Sequence, residues 1–390
     1  MKSPYRWLVL AVFMLVTFIN QASWITFAPI TGEAARHYGT SDLVIGLLSM
    51  VFMIVYVLLA IPSAWVIDSR SFRLAVGVGA LLTAAGALAR GAFASNLALV
   101  FVAQLGIAVG QPLILGSITR LAACWFPVEE RATAAGLATL SIYLGILAAM
   151  ILTPVLTLRY GMRGMLLAYG FVASAAAVIF LVAARERAPD SASLPMFEGL
   201  KAMLRNRDFL LLLVIFFIGL GLFNGVTTWI EAIVRPRGFN SAQAGLLGGA
   251  MLIGGILGAV IVPLVSDGLR RRKPFVILAL FGLLPGLAGL AFARTYWLLL
   301  ASGFWFGFFL LAAGPVGFQY GAELTRPAPE GTSNSLLVVM GQISGILFIF
   351  AMDALPGTMT ASLLALMALS VGAGVLACLL RESPIRSHRA

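Results

Sequence analysis

The chain has 390 residues, of which 61% are hydrophobic and 11% charged, and its mean hydropathy is +1.02. Soluble domains carry about 25% charged residues, so this composition excludes an ordinary water-soluble fold. Lipid must therefore surround most of the chain. Helices satisfy their own backbone hydrogen bonds in lipid, and the apolar runs here are too long and continuous for the alternating strands of a membrane barrel.

Twelve apolar stretches follow one another along the chain, separated by charged residues, proline or glycine. Crossing a bilayer requires roughly 20 apolar residues, a length that each stretch reaches. We therefore predict an all-α membrane protein with twelve transmembrane helices. The predicted spans are residues 7–30, 43–67, 73–93, 96–118, 131–157, 163–184, 209–233, 243–266, 274–293, 296–321, 332–353 and 357–380.

Two pseudo-symmetric six-helix bundles are predicted on either side of the longest polar interval. We expect an N-terminal bundle over residues 1–184, a cytoplasmic linker over 185–208 and a C-terminal bundle over 209–390. The remaining loops are short, so none of them is expected to fold as a domain of its own.

The net charge of +11 has a topological explanation. If the N-terminus lies inside, the inner loops and tails hold 19 Lys and Arg residues and the outer loops hold seven. This asymmetry follows the positive-inside rule and predicts that both termini are cytoplasmic. Short loops and an arginine-rich composition favour a prokaryotic inner membrane. Among the seven outer arginines, Arg90 is expected to extend its side chain outward to the interface.

The inventory of reactive side chains argues against an enzyme. Cys124 and Cys378 fall near predicted helix ends, whereas His37 and His388 lie in a loop and a tail. Because no metal site, catalytic triad or phosphate-binding loop can be assembled from this set, we expect no cofactor. The expected partners are the lipid bilayer and a small-molecule substrate rather than nucleic acid, and we expect a monomer.

Two acid-then-base clusters, Asp68 to Arg73 and Asp267 to Lys273, lie 199 residues apart. Each follows the second span of its half, which indicates an internal repeat of the kind found in transporters. The arrangement resembles the major facilitator superfamily, whose members use such clusters at cytoplasmic helix ends to latch the outward-open state. Alternatively, the basic residues serve only as topology anchors. The resemblance implies gating roles for Asp68, Arg73, Arg120, Asp267 and Arg271.

Polar residues inside the predicted spans mark a candidate solute path, because each carries a cost that must be offset. Asn20 and Trp24 share a face of span one, and Gln104 and Gln111 share a face of span four. Spans one, four, seven and ten line the central cavity in the superfamily that the chain resembles. The later spans contribute Asn224, Gln319 and Gln342.

Several of these residues have a structural alternative. Trp24 could be an interfacial belt residue, and Gln104 could join helices by hydrogen bonds. Gln111 could satisfy backbone carbonyls freed by the following proline. Glu231 precedes Arg235 by four residues near the outer mouth, which favours a structural ion pair over a proton carrier.

The chain also resembles the feline leukaemia virus subgroup C receptor-related transporters along nearly its whole length. The most specific part includes Pro315-Val-Gly-Phe-Gln-Tyr-Gly-Ala-Glu-Leu-Thr325 and Gln342-Ile-Ser-Gly-Ile-Leu-Phe348. That family is linked to choline, ethanolamine and haem. The resemblance implies a substrate site at Trp24, Gln111, Asn224 and Gln342, with Asn224 in place of the family's aromatic residue.

Three functional hypotheses follow. The first is a facilitative transporter of a small amine or quaternary ammonium, such as choline or ethanolamine, that works by alternating access. Trp24 would offer an aromatic face to the cation, and Gln111 and Gln342 would orient it. The second, transport of haem or another amphipathic anion, requires a cation or a histidine in the cavity. The sequence has none mid-membrane, although Arg235 and Arg237 near the outer mouth could recruit an anion. The third, a non-transporting sensor or receptor, is disfavoured by the short loops.

We expect Asp68→Asn to change the transport rate and the accessibility of reporter cysteines, because it removes the acidic half of the proposed latch. Partly exposed ion pairs contribute only about 0–1 kcal/mol, so the expected effect is a shift in populations rather than a loss of transport. Substrate flux and thiol-labelling rates measure both quantities. If neither changes, the cluster has only the anchoring role.

Overall fold

The computed structural model describes residues 4–186, 203–269, 271–325, 330–355 and 359–382. Within these ranges the regular structure is helical and includes no β-strand. The helices are α1 (Tyr5–Ile25), α2 (Thr31–Tyr38), α3 (Asp42–Ser69), α4 (Phe72–Ala92), α5 (Leu97–Leu115), α6 (Ile118–Trp125), α7 (Val128–Ala183), α8 (Arg207–Thr228), α9 (Ile230–Val234), α10 (Ser241–Leu269), α11 (Lys273–Gly282), α12 (Leu284–Phe292), α13 (Tyr296–Leu324), α14 (Glu330–Ala354) and α15 (Met359–Cys378).

Side-chain caps fix where several long helices begin. Ser71 accepts a hydrogen bond from the backbone N–H of Leu74 at 3.0 Å at the start of α4, and Asn96 accepts one from Leu99 at 3.2 Å at the start of α5. Asn206 caps α8 in the same way. The first N–H groups of a helix have no partner within it, so these short polar residues define the ends of the apolar runs.

Eleven helical segments in the described chain are long and apolar enough to cross a membrane. One of them, Thr133–Ala183, has 51 residues. At about 1.5 Å per residue it is roughly twice as long as the 30 Å hydrocarbon core requires. Gly161 interrupts it with a φ of 68°, a conformation that glycine adopts without strain. Counting this segment as two crossings gives twelve, in agreement with the predicted all-α membrane fold.

The chain divides into two compact units, one formed by Met1–Ser193 with Asn240–Gly245 and the other by Leu194–Phe239 with Leu246–Ala390. In the first unit α1 packs against α7, and α4 packs against α5 and α7. In the second, α8 packs against α14, and α13 packs against α11 and α12. Most of the predicted linker, 185–208, lies outside the described residues, so the predicted domain boundaries stay a prediction.

Glycines bring the backbones of α4 and α5 into direct contact. A Cβ atom added at Gly79 would lie 2.8 Å from the carbonyl oxygen of Gly110, and one added at Gly86 would lie 2.6 Å from that of Ala103. Small residues commonly permit such close approach between helices in membranes. The contact matters for function because it aligns the last turn of α4 with the middle of α5, where Arg90 and Gln104 lie.

A second repeated feature accompanies the two acid-then-base clusters. In the first unit the carboxylate of Glu186 accepts a hydrogen bond from the backbone N–H of Arg73 at 3.0 Å. In the second, Glu382 accepts from the backbone N–H groups of Arg272 and Lys273 at 2.7 and 3.1 Å. An Arg-Glu pair, Arg185-Glu186 or Arg381-Glu382, thus follows the last span of each half. Its carboxylate caps the start of the third span of the same half, which is α4 in the first and α11 in the second. The Arg-Glu pair recurs 196 residues apart, a repeat that was not among the predicted features.

We expect Glu382→Gln to lower the stability of the second unit, because the substitution removes a negative charge from a helix N-terminus. Such an interaction contributes about 0.3–1 kcal/mol at an exposed site. Thermal unfolding of the purified protein in detergent measures the change. The neighbouring substitution Arg381→Gln changes the charge at the same place without altering the cap and serves as the control. Equal melting temperatures for both variants would contradict a capping role.

Candidate functional site

Arg90 lies at the centre of a buried hydrogen-bond network in the first unit. Its Nη1 atom donates to the backbone carbonyl of Ser23 in α1 at 3.0 Å and to Oε1 of Gln104 in α5 at 2.6 Å. Gln104 in turn donates from Nε2 to the carbonyl of Leu48 in α3 at 3.0 Å. One guanidinium group and one amide therefore tie α4 to α1, α5 and α3.

Trp24 closes this network into a loop. Its indole Nε1 donates to the carbonyl of Ser49 at 3.1 Å, one residue beyond Leu48, and Trp24 itself follows Ser23. Trp24 is 6% exposed, so it lies inside the unit rather than in an interfacial belt. The orientation of its ring is fixed by this bond. We call the six residues the Arg90 network: Ser23, Trp24, Leu48, Ser49, Arg90 and Gln104.

The expectation that Arg90 extends outward to the interface was wrong. The residue is 0% exposed and lies in the last turn of α4. Two acceptors inside the unit, a carbonyl and an amide oxygen, replace part of the hydration that the guanidinium would otherwise find at the surface. The sequence contained a signal for this site, since Arg90 falls within the predicted span 73–93 and an ionisable residue inside a span marks a functional site by default.

Asn20 lies one turn before Trp24 and joins α1 to α4. Its Nδ2 atom donates to the hydroxyl of Thr83 at 3.0 Å, and its Oδ1 accepts from Gln21 at 3.4 Å. Thr83 donates to the carbonyl of Gly79 at 2.8 Å. Asn20 is fully buried, so it holds the helix that carries Trp24 and is not itself presented to a solute in this conformation.

The two glutamines of α5 have different surroundings. Both ends of the Gln104 amide form hydrogen bonds in the Arg90 network. Gln104 thus joins helices, which is the structural alternative given for it above. Gln111 is 4% exposed, yet its side-chain amide makes no hydrogen bond with the described residues. It therefore does not satisfy carbonyls around Pro112. Its amide atoms are not among the buried unpaired atoms of the described residues, so they keep contact with solvent and are accessible to a polar ligand.

In the second unit, Asn224 donates from Nδ2 to the carbonyl of Gly341 at 3.1 Å, which ties α8 to α14. Gln342, which follows Gly341 in the chain, is half-buried, and its side chain has no hydrogen-bond partner among the described residues. Gln319 is exposed and donates to Glu323 on its own helix at 3.0 Å. Thus Gln342, like Gln111, keeps an uncommitted amide, whereas Asn224 and Gln319 are engaged.

The clusters predicted to gate differ between the units. Arg272 bonds Asp267 and lies 3.2 Å from Glu323, whereas the predicted Arg271 is exposed. Burial lowers the pKa of Arg272, but hydrogen bonds and charge from the two carboxylates outweigh it and raise the pKa above its ordinary value. Among the described cations of this cluster, Arg272 is the one that contacts both carboxylates.

In the first unit, Arg73 is exposed and donates to the carbonyl of Leu181 at 2.8 Å. The Nε atom of Arg120 is buried without a partner among the described residues. The side chain of Asp68 lies outside what the structure describes, so its predicted pairing stays a prediction.

The predicted structural ion pair between Glu231 and Arg235 is confirmed, with 3.3 Å between Oε2 and Nη1. Arg237 follows and donates to the carbonyl of Ala291 at 3.0 Å. Partial burial lowers the pKa of Arg237. Arg235 and Arg237 are therefore engaged with their own unit.

Apolar helices in two units, each with a repeated charged cluster and polar residues inside its spans, define a multi-pass membrane transporter. The sequence profile of the Major Facilitator Superfamily matches residues 13–349. The chain belongs to that superfamily.

Curated relatives match most of the chain. It is 31% identical to solute carrier family 49 member A3 of Danio rerio over 90% of this chain and 78% of the relative. It is 30% identical to the choline/ethanolamine transporter FLVCR1 of Felis catus over 90% of this chain and 68% of that relative. It is 27% identical to the choline/ethanolamine transporter flvcr2b of Danio rerio over 96% of this chain and 83% of that relative. The predicted family resemblance is thereby confirmed.

Among solved structures, a bacterial homolog of the human lysosomal transporter Spinster has the same fold, with a TM-score of 0.77 over 97% of this chain and 98% of that one. The two sequences are 15% identical, so this likeness concerns the fold alone.

We expect Gln104→Leu to destabilise the folded protein by about 1–3 kcal/mol, because it removes one of the two acceptors of the buried Nη1 of Arg90 and the side-chain donor to the carbonyl of Leu48. The matched control is Gln111→Leu, the same substitution seven residues later on the same helix, where no hydrogen bond is lost. Thermal unfolding in one detergent compares them. Equal destabilisation by both substitutions would contradict the structural assignment of Gln104.

Proposed function

We propose that this protein is a facilitative transporter of a small amine or quaternary ammonium, such as choline or ethanolamine, that works by alternating access. The observation that carries the proposal is the combination of full-length similarity to relatives named choline/ethanolamine transporters with an oriented indole and two uncommitted amides. The multi-pass topology would place both termini in the cytoplasm, with the protein in an inner membrane.

Trp24 would contribute its ring face to the cation. A quaternary ammonium has no N–H donor, so recognition depends on aromatic faces, at about 0.5–2 kcal/mol for each. Because Trp24 is bonded through Nε1 to α3, and its neighbour Ser23 is bonded to Arg90, the ring would be held without losing side-chain entropy on binding.

Gln111 would contribute an acceptor to the hydroxyl that choline and ethanolamine share, and the second unit offers an uncommitted amide of its own at Gln342. Their amides are uncommitted in the described structure, in contrast to Asn20, Gln104 and Asn224. Asn224 replaces the aromatic residue expected from the resemblance, which reduces the cation–π contribution. A primary amine, which can also donate hydrogen bonds, would suit this composition better than choline does.

The amphipathic-anion hypothesis gains little from Arg90. The guanidinium is a cation within a span, as that hypothesis requires, yet it is fully enclosed in the first unit and engaged with Ser23 and Gln104. A haem-sized ligand could not reach it without separating α1, α4 and α5. The amine is therefore the better candidate.

We expect Trp24→Leu to reduce uptake of choline or ethanolamine into proteoliposomes by about 2- to 30-fold, the equivalent of one lost cation–π contact. Trp24→Phe should retain more uptake because it keeps an aromatic face. Gln111→Leu should reduce uptake without the loss of stability expected for Gln104→Leu.

Competition with 3,3-dimethyl-1-butanol, which has the shape of choline without its charge, separates cation recognition from shape. Effective inhibition by this neutral alcohol, or normal uptake by folded Trp24→Leu, would contradict the proposal. Folded protein is quantified by size-exclusion chromatography before reconstitution.

A further inference from the structure

Arg90 has hydrogen-bonding capacity that the Arg90 network does not use. Its Nε and Nη2 atoms are buried and have no partner among the described residues. The hydroxyls of Ser23 and Tyr38 are likewise buried and unpaired. Ser23 adjoins the guanidinium through its own carbonyl, and Tyr38 lies close enough to interact with Arg90 electrostatically. Two of these unpaired donors belong to the guanidinium itself, and a third belongs to the residue whose carbonyl the guanidinium bonds.

The charge of Arg90 is also uncompensated within the described chain. No carboxylate in these residues forms an ion pair with it, and the ionisable groups that interact with it are Tyr38 and Tyr169. Tyr169 shares a hydrogen bond of 2.7 Å with Thr153, and both are buried. The ring centroid of Phe27 lies 6.0 Å from the guanidinium carbon. Burying an unpaired charge in this way is strongly unfavourable without a counter-ion.

We propose that this cluster binds a small monovalent inorganic anion, of the size of chloride, inside the first unit. The anion would accept from Nε and Nη2 of Arg90 and from the hydroxyls of Ser23 and Tyr38, and it would neutralise the buried cation. Arg90, Gln104, Ser23 and Phe27 are each at most 1% exposed, so the site is closed to larger anions. Tyr38 is half-buried, and its hydroxyl is buried.

The anion would act on the same network that orients Trp24. With its charge neutralised, the guanidinium can remain buried between the carbonyl of Ser23 and the amide of Gln104. Without the anion, the cation would favour conformations that expose it to water, and α1 would lose one of its attachments to α4. Small anions should therefore stabilise the fold of the first unit whether or not the amine is the transported solute.

The test measures thermal unfolding of the full-length protein in chloride, bromide and gluconate at equal ionic strength, with no solute present. We expect saturable stabilisation by chloride and bromide, and none by gluconate, which is too large for the site. Bromide soaked into crystals should give an anomalous peak beside the guanidinium. Tyr38→Phe, which removes one donor and keeps the ring, should weaken the apparent chloride affinity by about tenfold.

The control is Tyr160→Phe, an identical change at an exposed tyrosine of the same unit, which should leave the chloride affinity unchanged. Arg90→Gln should abolish the anion dependence, and Tyr38→Phe keeps the test informative if that variant does not fold. Equal stability in chloride and gluconate, with no bromide peak at Arg90, would overturn the proposal and leave water as the partner of the guanidinium. A chloride affinity unaffected by Tyr38→Phe would also overturn it.

Discussion

One buried guanidinium group sets the geometry of the first unit. In lipid-surrounded protein a charge cannot be left without partners, so Arg90 requires α1 and α5 to lie within hydrogen-bonding distance of α4. Gln104 extends that constraint to α3. Close packing through Gly79 and Gly86 permits this arrangement, because larger residues would separate α4 from α5. The orientation of Trp24 is one consequence of a requirement that begins with Arg90.

The two units repeat their peripheral chemistry more closely than their interior chemistry. Glu186, which follows the last helix of the first half, caps α4, and Glu382, which follows the last helix of the second half, caps α11. Inside the units, Asn20 bonds a threonine hydroxyl, whereas Asn224 bonds the carbonyl of Gly341. A duplicated transporter can keep the elements that end its helices and still diverge inside its units, because the ends are constrained by backbone groups that are identical in both halves.

Some polar residues within the spans are hydrogen-bonded to neighbouring helices and others are not, a difference that the sequence does not reveal. Gln104 and Gln111 have the same side chain on the same face of one helix, yet the first is bonded to Arg90 and Leu48 and the second is unbonded within the described chain. Spacing along a helix reports which face a residue occupies but not what the neighbouring helix presents to it. The same reason explains why the sequence predicts an outward-reaching Arg90 and does not single out Arg272, which contacts Asp267 and Glu323.

The membrane-spanning helices, their number, the internal repeat and the superfamily could all be predicted from the amino-acid sequence. These features follow from apolar run length and local motifs, which act within one segment of chain. The pairing of the polar groups became visible in the folded chain: Arg90 bonds Ser23 and Gln104, Trp24 bonds Ser49, and Glu382 bonds the start of α11. Those choices depend on contacts between helices far apart in sequence, and in a water-poor interior each donor's partner is fixed by packing.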